Sequence, residues 1–176
     1  REGCPFVGPI YGQFMLTVDG PRIIEVNARF GDPEAMNVLP LLQDDFVDIC
    51  LSMLERSLNK KRIRFQKKAT VCKYVVPEGY GIESMVHQPI SVDEDAVRDT
   101  GALLFYASVN KEDETIYTTS SRSLAVVGIG DSISEAEQIC EKGLDHVKGD
   151  HIFIRHDIGT KELIEKRIAH MRQLCG

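Results

Sequence analysis

Ile23-Ile24-Glu25-Val26-Asn27-Ala28-Arg29-Phe30-Gly31-Asp32-Pro33-Glu34 is the stretch that decides how this chain is read. It opens as an apolar, β-branched run, which favours a strand. Successive side chains of a strand point to opposite faces, so Glu25, Asn27 and Arg29 share one face, and Ile24, Val26 and Ala28 are expected to enter a core. A carboxylate and an amide oxygen two residues apart suit a hard cation such as Mg2+. A guanidinium two residues further suits a phosphate or carboxylate bound to that cation. Gly31-Asp32-Pro33-Glu34 then ends the strand and opens a helix, with Pro33 at its start and Asp32 as the expected N-cap. A lone Glu-x-Asn is equally well explained as a solvated strand face; the length of the string is what favours a site.

Upstream, Pro9-Ile10-Tyr11-Gly12-Gln13-Phe14-Met15-Leu16 reads as the partner strand of a hairpin over residues 9–30 that turns at Asp19-Gly20. Register decides whether Gln13 joins the site, because directly paired residues share a face. A two-residue turn pairs Gln13 with Val26 and points it away from Glu25. A three-residue Val18-Asp19-Gly20 loop, with Gly20 left-handed, pairs Thr17 with Pro21 and Gln13 with Glu25. The second register is preferred. It gathers Gln13, Glu25 and Asn27 into one oxygen-rich site and puts Phe14 and Leu16 on a face with Ile24 and Val26. A bulge gives the same result.

Downstream, Leu42, Phe46, Ile49, Cys50, Met53 and Leu54 have helical spacing, with Asp44 and Asp45 near the start as solvated capping residues. The basic, aperiodic segment 59–68 reads as the connection between two units, 1–67 and 68–176. Beyond it, strands are expected over 69–76, 102–109, 115–118, 124–130 and 152–154. Asp131 or Ser132 caps a helix with Ile133, Ala136, Cys140, Leu144 and Val147 on one face. Thr160 caps a final helix with Leu163, Ile164, Ile168 and Met171. The pattern is α+β, with antiparallel strands expected.

Composition narrows the function. The chain has 176 residues, 43% of them hydrophobic, which allows an ordinary core. A net charge of −6 speaks against a nucleic-acid partner held on a basic face. No apolar run is long enough to cross a membrane, and no signal peptide is visible. Five scattered cysteines, without C-x-x-C or zinc spacing, point to reduced thiols and a cytoplasmic setting. The five histidines form no spaced metal set, and no Ser or Cys carries a nucleophile signature. Gly128 and Gly130 begin a dinucleotide-type loop, but Ile133 breaks the pattern. The first residue is Arg1, not Met, and the chain reads as the C-terminal part of a longer protein.

The string Ile24 to Glu34 resembles the metal-binding segment of the phosphoribosylamine–glycine ligases, ATP-grasp enzymes of purine synthesis, and Pro9 to Leu16 resembles the strand before it. Leu124-Ala125-Val126-Val127-Gly128-Ile129-Gly130 with Ser134-Glu135-Ala136 is similar to the strand-to-helix step of that family's C-terminal domain. Arg155-His156-Asp157-Ile158-Gly159 is similar to a motif near the end of its chains, with His156 where Lys is usual. Two more departures are Met36, where Gln is familiar, and Ser120-Ser121-Arg122, where Gly-Gly-Arg is common.

The resemblance implies the C-terminal part of an ATP-grasp domain over 1–67, followed by a small mixed α/β C-terminal domain over 68–176. It implies an ATP-dependent carbon–nitrogen ligase that joins glycine to phosphoribosylamine, with Mg2+ or Mn2+ as metal and ATP as co-substrate. Glu25 and Asn27 match the family's metal ligands. Gln13 is read either as a third, neutral oxygen ligand or as a polar neighbour. Arg29 is the residue expected to hold phosphate or the acyl phosphate; an ion pair with Asp32 or Glu34 is its bland alternative. Asp32 and Glu34 are expected to orient Arg29 or to meet a substrate's ammonium or amine. Arg122 is either a contact to a substrate phosphate or a solvated turn residue. Asp157 is read as structural, paired with Arg155 or nearby backbone. The Gly-rich phosphate loop of such enzymes is absent from this stretch. The fragment is therefore expected to need the missing N-terminal part of the same protein, to bind nucleotide poorly alone and to be inactive alone. The competing readings are another ATP-grasp ligase or carboxylase subunit, and a non-enzymatic assembly domain.

Overall fold

The computed structural model describes residues 2–175; Arg1 and the Cys175 side chain, both used in the sequence reading, lie outside it. The chain divides into two compact units. One runs through Lys67 and includes the segment from Ala169; the other is Lys68–Ile168.

The first unit opens with a two-stranded antiparallel sheet, β1 (Tyr11–Thr17) and β2 (Gly20–Asn27). Val18-Asp19 forms its turn, because Thr17 faces Gly20 and Leu16 faces Pro21. The register shifts between Gln13 and Phe14, so that Phe14 faces Ile23 but Gln13 faces Glu25. Ile24 is thus an extra residue in β2, a bulge, and the bulge rather than a three-residue loop brings Gln13 opposite Glu25. It also changes the apolar pairing: Phe14 sits across from Ile23 and Leu16 across from Pro21, so Ile24 has no residue directly opposite. The expected core face is not formed within this unit, since Ile24, Val26 and Ala28 are exposed. A two-stranded ribbon has no second layer of its own to bury them against.

After β2 come α1 (Glu34–Val38) and α2 (Phe46–Leu54). Pro33, not Asp32, occupies the N-cap of α1, and no side chain caps it. Asp45 does cap α2, its side chain accepting from the Asp48 N–H at 3.0 Å. Asp44 is more than a solvated neighbour. It takes the Arg64 guanidinium through two hydrogen bonds, at 2.9 and 2.7 Å, and so ties the basic connection back to the helix entrance.

The second unit holds the core. Its first sheet has the order β10-β3-β8-β5: β3 (Ala69–Pro77), β5 (Leu103–Tyr106), β8 (Leu124–Gly130) and β10 (Ile152–Ile154). Its second has the order β6-β7-β4-β9: β4 (Pro89–Val92), β6 (Val109–Glu112), β7 (Thr115–Thr118) and β9 (Val147–Lys148). All pairings are antiparallel. The strand expected over 102–109 is two strands in different sheets. The backbone breaks where Ala107 and Ser108 donate to the carbonyls of Ser123 and Arg122.

Helix α3 (Glu94–Asp99) follows β4, and α4 (Ile133–Leu144) packs on β8 and β3. Ser132 is the α4 cap, accepting from the Glu135 N–H at 3.2 Å. Ala136, Cys140 and Leu144 are buried with Val71, Val75, Leu124 and Val126, whereas Ile133 is exposed and Val147 belongs to a strand. Gly128 lets this helix approach: a Cβ there would strike the Ala136 carbonyl and come 2.7 Å from the Cys140 nitrogen. The final helix, α5 (Lys161–Cys175), begins after Thr160, whose hydroxyl accepts from the Leu163 N–H at 3.3 Å.

Candidate metal and phosphate site

The hairpin brings three oxygen-bearing side chains together. Gln13 is directly opposite Glu25, and Tyr11 is directly opposite Asn27. Glu25 and Asn27, two residues apart, meet on one face: the Asn27 amide nitrogen donates to Glu25 Oε1 at 2.9 Å. Among the described residues no group of three or more His, Cys, Asp or Glu could hold a metal. The set on the hairpin is one carboxylate and two amides. That suits Mg2+, which keeps waters and phosphate oxygens among its ligands and does not require an all-protein cage.

Arg29 lies beyond the end of β2, so strand alternation does not place it. Its Nη1 donates to the carbonyl of Phe30 at 2.7 Å. Asp32 is exposed.

Glu34 is held instead by Tyr11, a residue the sequence reading passed over. The Tyr11 phenol donates to Glu34 Oε1 at 2.9 Å, while Oε2 is buried without a hydrogen-bond partner. Gly31 makes room for this pair. A Cβ there would stand 2.5 Å from Glu34 Oε2 and 2.8 Å from the Tyr11 ring. The phenol's pKa is raised, first by its bond to Glu34, then by burial and by the charges of Glu34 and Glu25, with Arg29 opposing. Tyr11 therefore senses both carboxylates and the guanidinium. The available signal was its position opposite Asn27 in the hairpin.

Arg122 belongs to the second unit. It is half-buried, with its guanidinium carbon 5.1 Å from the centre of the Tyr74 ring, a cation–π distance. Beside it the Ser108 and Thr119 hydroxyls are hydrogen-bonded at 2.8 Å. Stacking against Tyr74 is at odds with a freely solvated turn.

The strongest ionic feature of the second unit was also passed over. Lys73 has no exposed side-chain surface, and its ammonium donates to Glu137 at 2.8 Å, Glu141 at 2.5 Å and the His156 carbonyl at 2.8 Å. Burial opposes the charge, but the bonds to Glu137 and Glu141 outweigh it and raise the Lys73 pKa. Burial likewise pushes the Glu141 carboxyl upward, and Lys73 and His156 more than reverse it. His156 adds its Nδ1, 2.8 Å from Glu141 Oε2. Nearby burial pushes the Cys140 thiol up to about 12, so it is inert near neutrality. The four cysteines whose side chains are described form no disulfide. Asp157 takes both Arg155 nitrogens, Nε at 2.6 Å and Nη2 at 2.7 Å, the structural pairing expected of it.

Residues 1–35, which hold this hairpin, match the model described as the phosphoribosylglycinamide synthetase ATP-grasp (A) domain. Residues 70–161 match that described as the phosphoribosylglycinamide synthetase C domain. The chain belongs to the phosphoribosylglycinamide synthetase family. It is 55% identical over 99% of its length to the phosphoribosylamine–glycine ligase of Methanococcus maripaludis strain C7, and covers 39% of that protein. To the ligase of the same name from Methanocaldococcus jannaschii it is 52% identical over 96% of its length, covering 38% of that relative. The crystal structure of phosphoribosylamine–glycine ligase from Thermotoga maritima is similar with a TM-score of 0.67 and 25% identity, over 84% of this chain and 36% of that one. The mixed α and β architecture expected from the sequence is the one found. No described helix is long and apolar enough to cross a membrane.

Proposed function

We propose that this chain is the C-terminal portion of an ATP-dependent ligase that joins glycine to 5-phosphoribosylamine, giving glycinamide ribonucleotide, ADP and phosphate. The observation that carries the reading is the pairing of Gln13 with Glu25 beside Asn27, on a strand matched by the family's ATP-grasp model. Residues 1–67 are the end of the ATP-grasp domain and 68–176 the C-terminal domain. The N-terminal part of the same protein completes the nucleotide site, and the cytoplasm is its setting.

Glycine's carboxylate attacks the γ-phosphorus of ATP. A phosphorus–oxygen bond to glycine forms as the one to ADP breaks. The amine of phosphoribosylamine then attacks the acyl carbon, phosphate leaves and the amine gives up a proton. The difficulty is anion against anion, because a triphosphate and a carboxylate repel strongly at contact distance. Gln13, Glu25 and Asn27 would hold Mg2+ or Mn2+, which when bound neutralises phosphate charge. Arg29 meets the phosphoryl group as charge moves between oxygens. Asp32 and Glu34 receive the ammonium or amine of a substrate. Arg122, flattened on Tyr74, meets a substrate phosphate.

The experiment is Glu25→Ala in the full-length ligase that contains this chain. Metal-dependent turnover should be abolished while the protein stays folded. Unchanged turnover would remove the hairpin from the site. The chain alone should neither bind nucleotide well nor turn it over.

A further inference from the structure

The donor set on the hairpin is rich in oxygen and poor in charge. Gln13, Glu25 and Asn27 bring together one carboxylate and two neutral amides. The bulge at Ile24 decides this composition. Without it the pairing of Phe14 with Ile23 would continue to Gln13 opposite Ile24 and Gly12 opposite Glu25; with it Gln13 stands opposite Glu25. Re-aiming one side chain in this way is a common use of a bulge beside a site. The Asn27 amide nitrogen donates to Glu25 Oε1 at 2.9 Å. An ionised carboxylate only accepts, so the nitrogen is the end of the amide that faces Glu25, and Asn27 Oδ1 is the end left for a cation. The same bond draws on the one negative charge of the set. Glu34 adds no ligand, because Tyr11 holds its Oε1 and its Oε2 is buried. Arg29 brings positive charge to the same neighbourhood: the Tyr11 phenol feels it together with Glu25 and Glu34.

We infer that the neutral amide of Gln13 makes cation binding at this hairpin conditional on the nucleotide, so that the site takes Mg2+ or Mn2+ together with a triphosphate and not alone. This rests on the reading of Gln13, Glu25 and Asn27 as the metal site. A hard divalent cation held by one or two carboxylates completes its shell with waters and phosphate oxygens. Here the protein sets a single carboxylate, already hydrogen-bonded through one oxygen, against two positive charges. A triphosphate supplies the missing negative charge. Gln13 is the deciding position because residues directly opposite on paired strands are nearest neighbours across the pair. A carboxylate there would face Glu25, repel it in the empty site and attract a cation without any nucleotide. Linkage makes the effect reciprocal: the cation tightens the nucleotide by the factor by which the nucleotide tightens the cation.

The test measures Mn2+ binding to the proposed full-length ligase and to its Gln13→Glu and Glu25→Ala variants by paramagnetic resonance, at fixed free Mn2+, with and without a non-hydrolysable ATP analogue. Melting temperatures are taken in parallel. In the parent the analogue should tighten Mn2+ binding by about a hundredfold, and Mn2+ alone should leave the melting temperature unchanged. Gln13→Glu should bind Mn2+ alone about tenfold more tightly than the parent does, with the coupling to the analogue reduced to match. Its melting temperature, lowered without metal by two carboxylates face to face, should rise when Mn2+ alone is added. Tight Mn2+ binding by the nucleotide-free parent would overturn the inference, since carboxylates from elsewhere would then complete the site. It also falls if Gln13→Glu melts lower and Mn2+ neither restores it nor binds better, because Gln13 then only spares Glu25 a like charge. In both cases the reading of the metal site stands as long as Glu25→Ala loses the Mn2+ bound with the analogue. If Glu25→Ala binds that Mn2+ as the parent does, the hairpin is not the metal site and the reading falls with the inference.

Discussion

In the second unit Val75, Leu124, Ala125, Val126 and Val127 have no exposed surface; in the first, Phe14, Met15, Ile23, Ile24 and Val26 each keep 50% or more of theirs. Among the described residues, no hydrophobic side chain before Val71 is fully buried. The two units have similar kinds of residue but different numbers of layers. Sheet β10-β3-β8-β5 is covered by α4, so alternate strand residues find partners. The β1–β2 ribbon has two free edges and no covering layer within its unit. The candidate chemistry lies on the uncovered ribbon and the stability on the covered sheet. Such a division is useful to an enzyme whose site must be closed by other segments, since charges act more strongly once water is excluded.

The contrast can be broken most severely at Lys73. Lys73→Met leaves Glu137 and Glu141 without their cation and should cost about 4 kcal/mol, read from the urea transition of the second unit. A loss near zero would mean that the ammonium is solvated after all. Leu124→Ala, which opens a cavity at a position with no exposure, should cost about 3 kcal/mol in the same assay. Acid should bring a smaller loss. Glu141, faced by Lys73 and His156, has its carboxyl held below the ordinary 4.5. Its contribution is therefore complete above that pH and disappears as pH falls through the lowered value. Glu141→Gln should flatten this part of the pH–stability curve, and an unchanged curve would show that other carboxylates set it. The smallest effect belongs to the hairpin. Ile24→Ala, despite removing as large a side chain from a strand, should change the stability of this chain by less than about 0.5 kcal/mol. A loss as large as that of Leu124→Ala would erase the distinction between the units.

Much of this was legible in the sequence, and the failures have physical causes. The pairing of Gln13 with Glu25 follows from face matching, yet the location of the extra residue does not. A longer loop and a bulge shift the register identically, and nothing in the alternation singles out Ile24. The strand expected over 102–109 contains no Gly or Pro to mark its break; the break comes from hydrogen bonds to Arg122 and Ser123, more than ten residues away in sequence. Lys73 on a strand reads as solvent-facing because its carboxylate partners arrive on a helix some sixty residues later. Tyr11 escaped for a similar reason, its partner Glu34 lying 23 residues on. Local patterns report faces and caps, such as Ser132 and Thr160, but not which distant side chain will meet a buried charge.

The measurement that bears most directly on the central claim is ADP release by the proposed full-length ligase, with phosphoribosylamine generated in place and each substrate omitted in turn. The account predicts ADP release that requires both glycine and phosphoribosylamine and is lost in Glu25→Ala. ADP release with another acid in place of glycine, or none from a folded enzyme given both substrates, would contradict it.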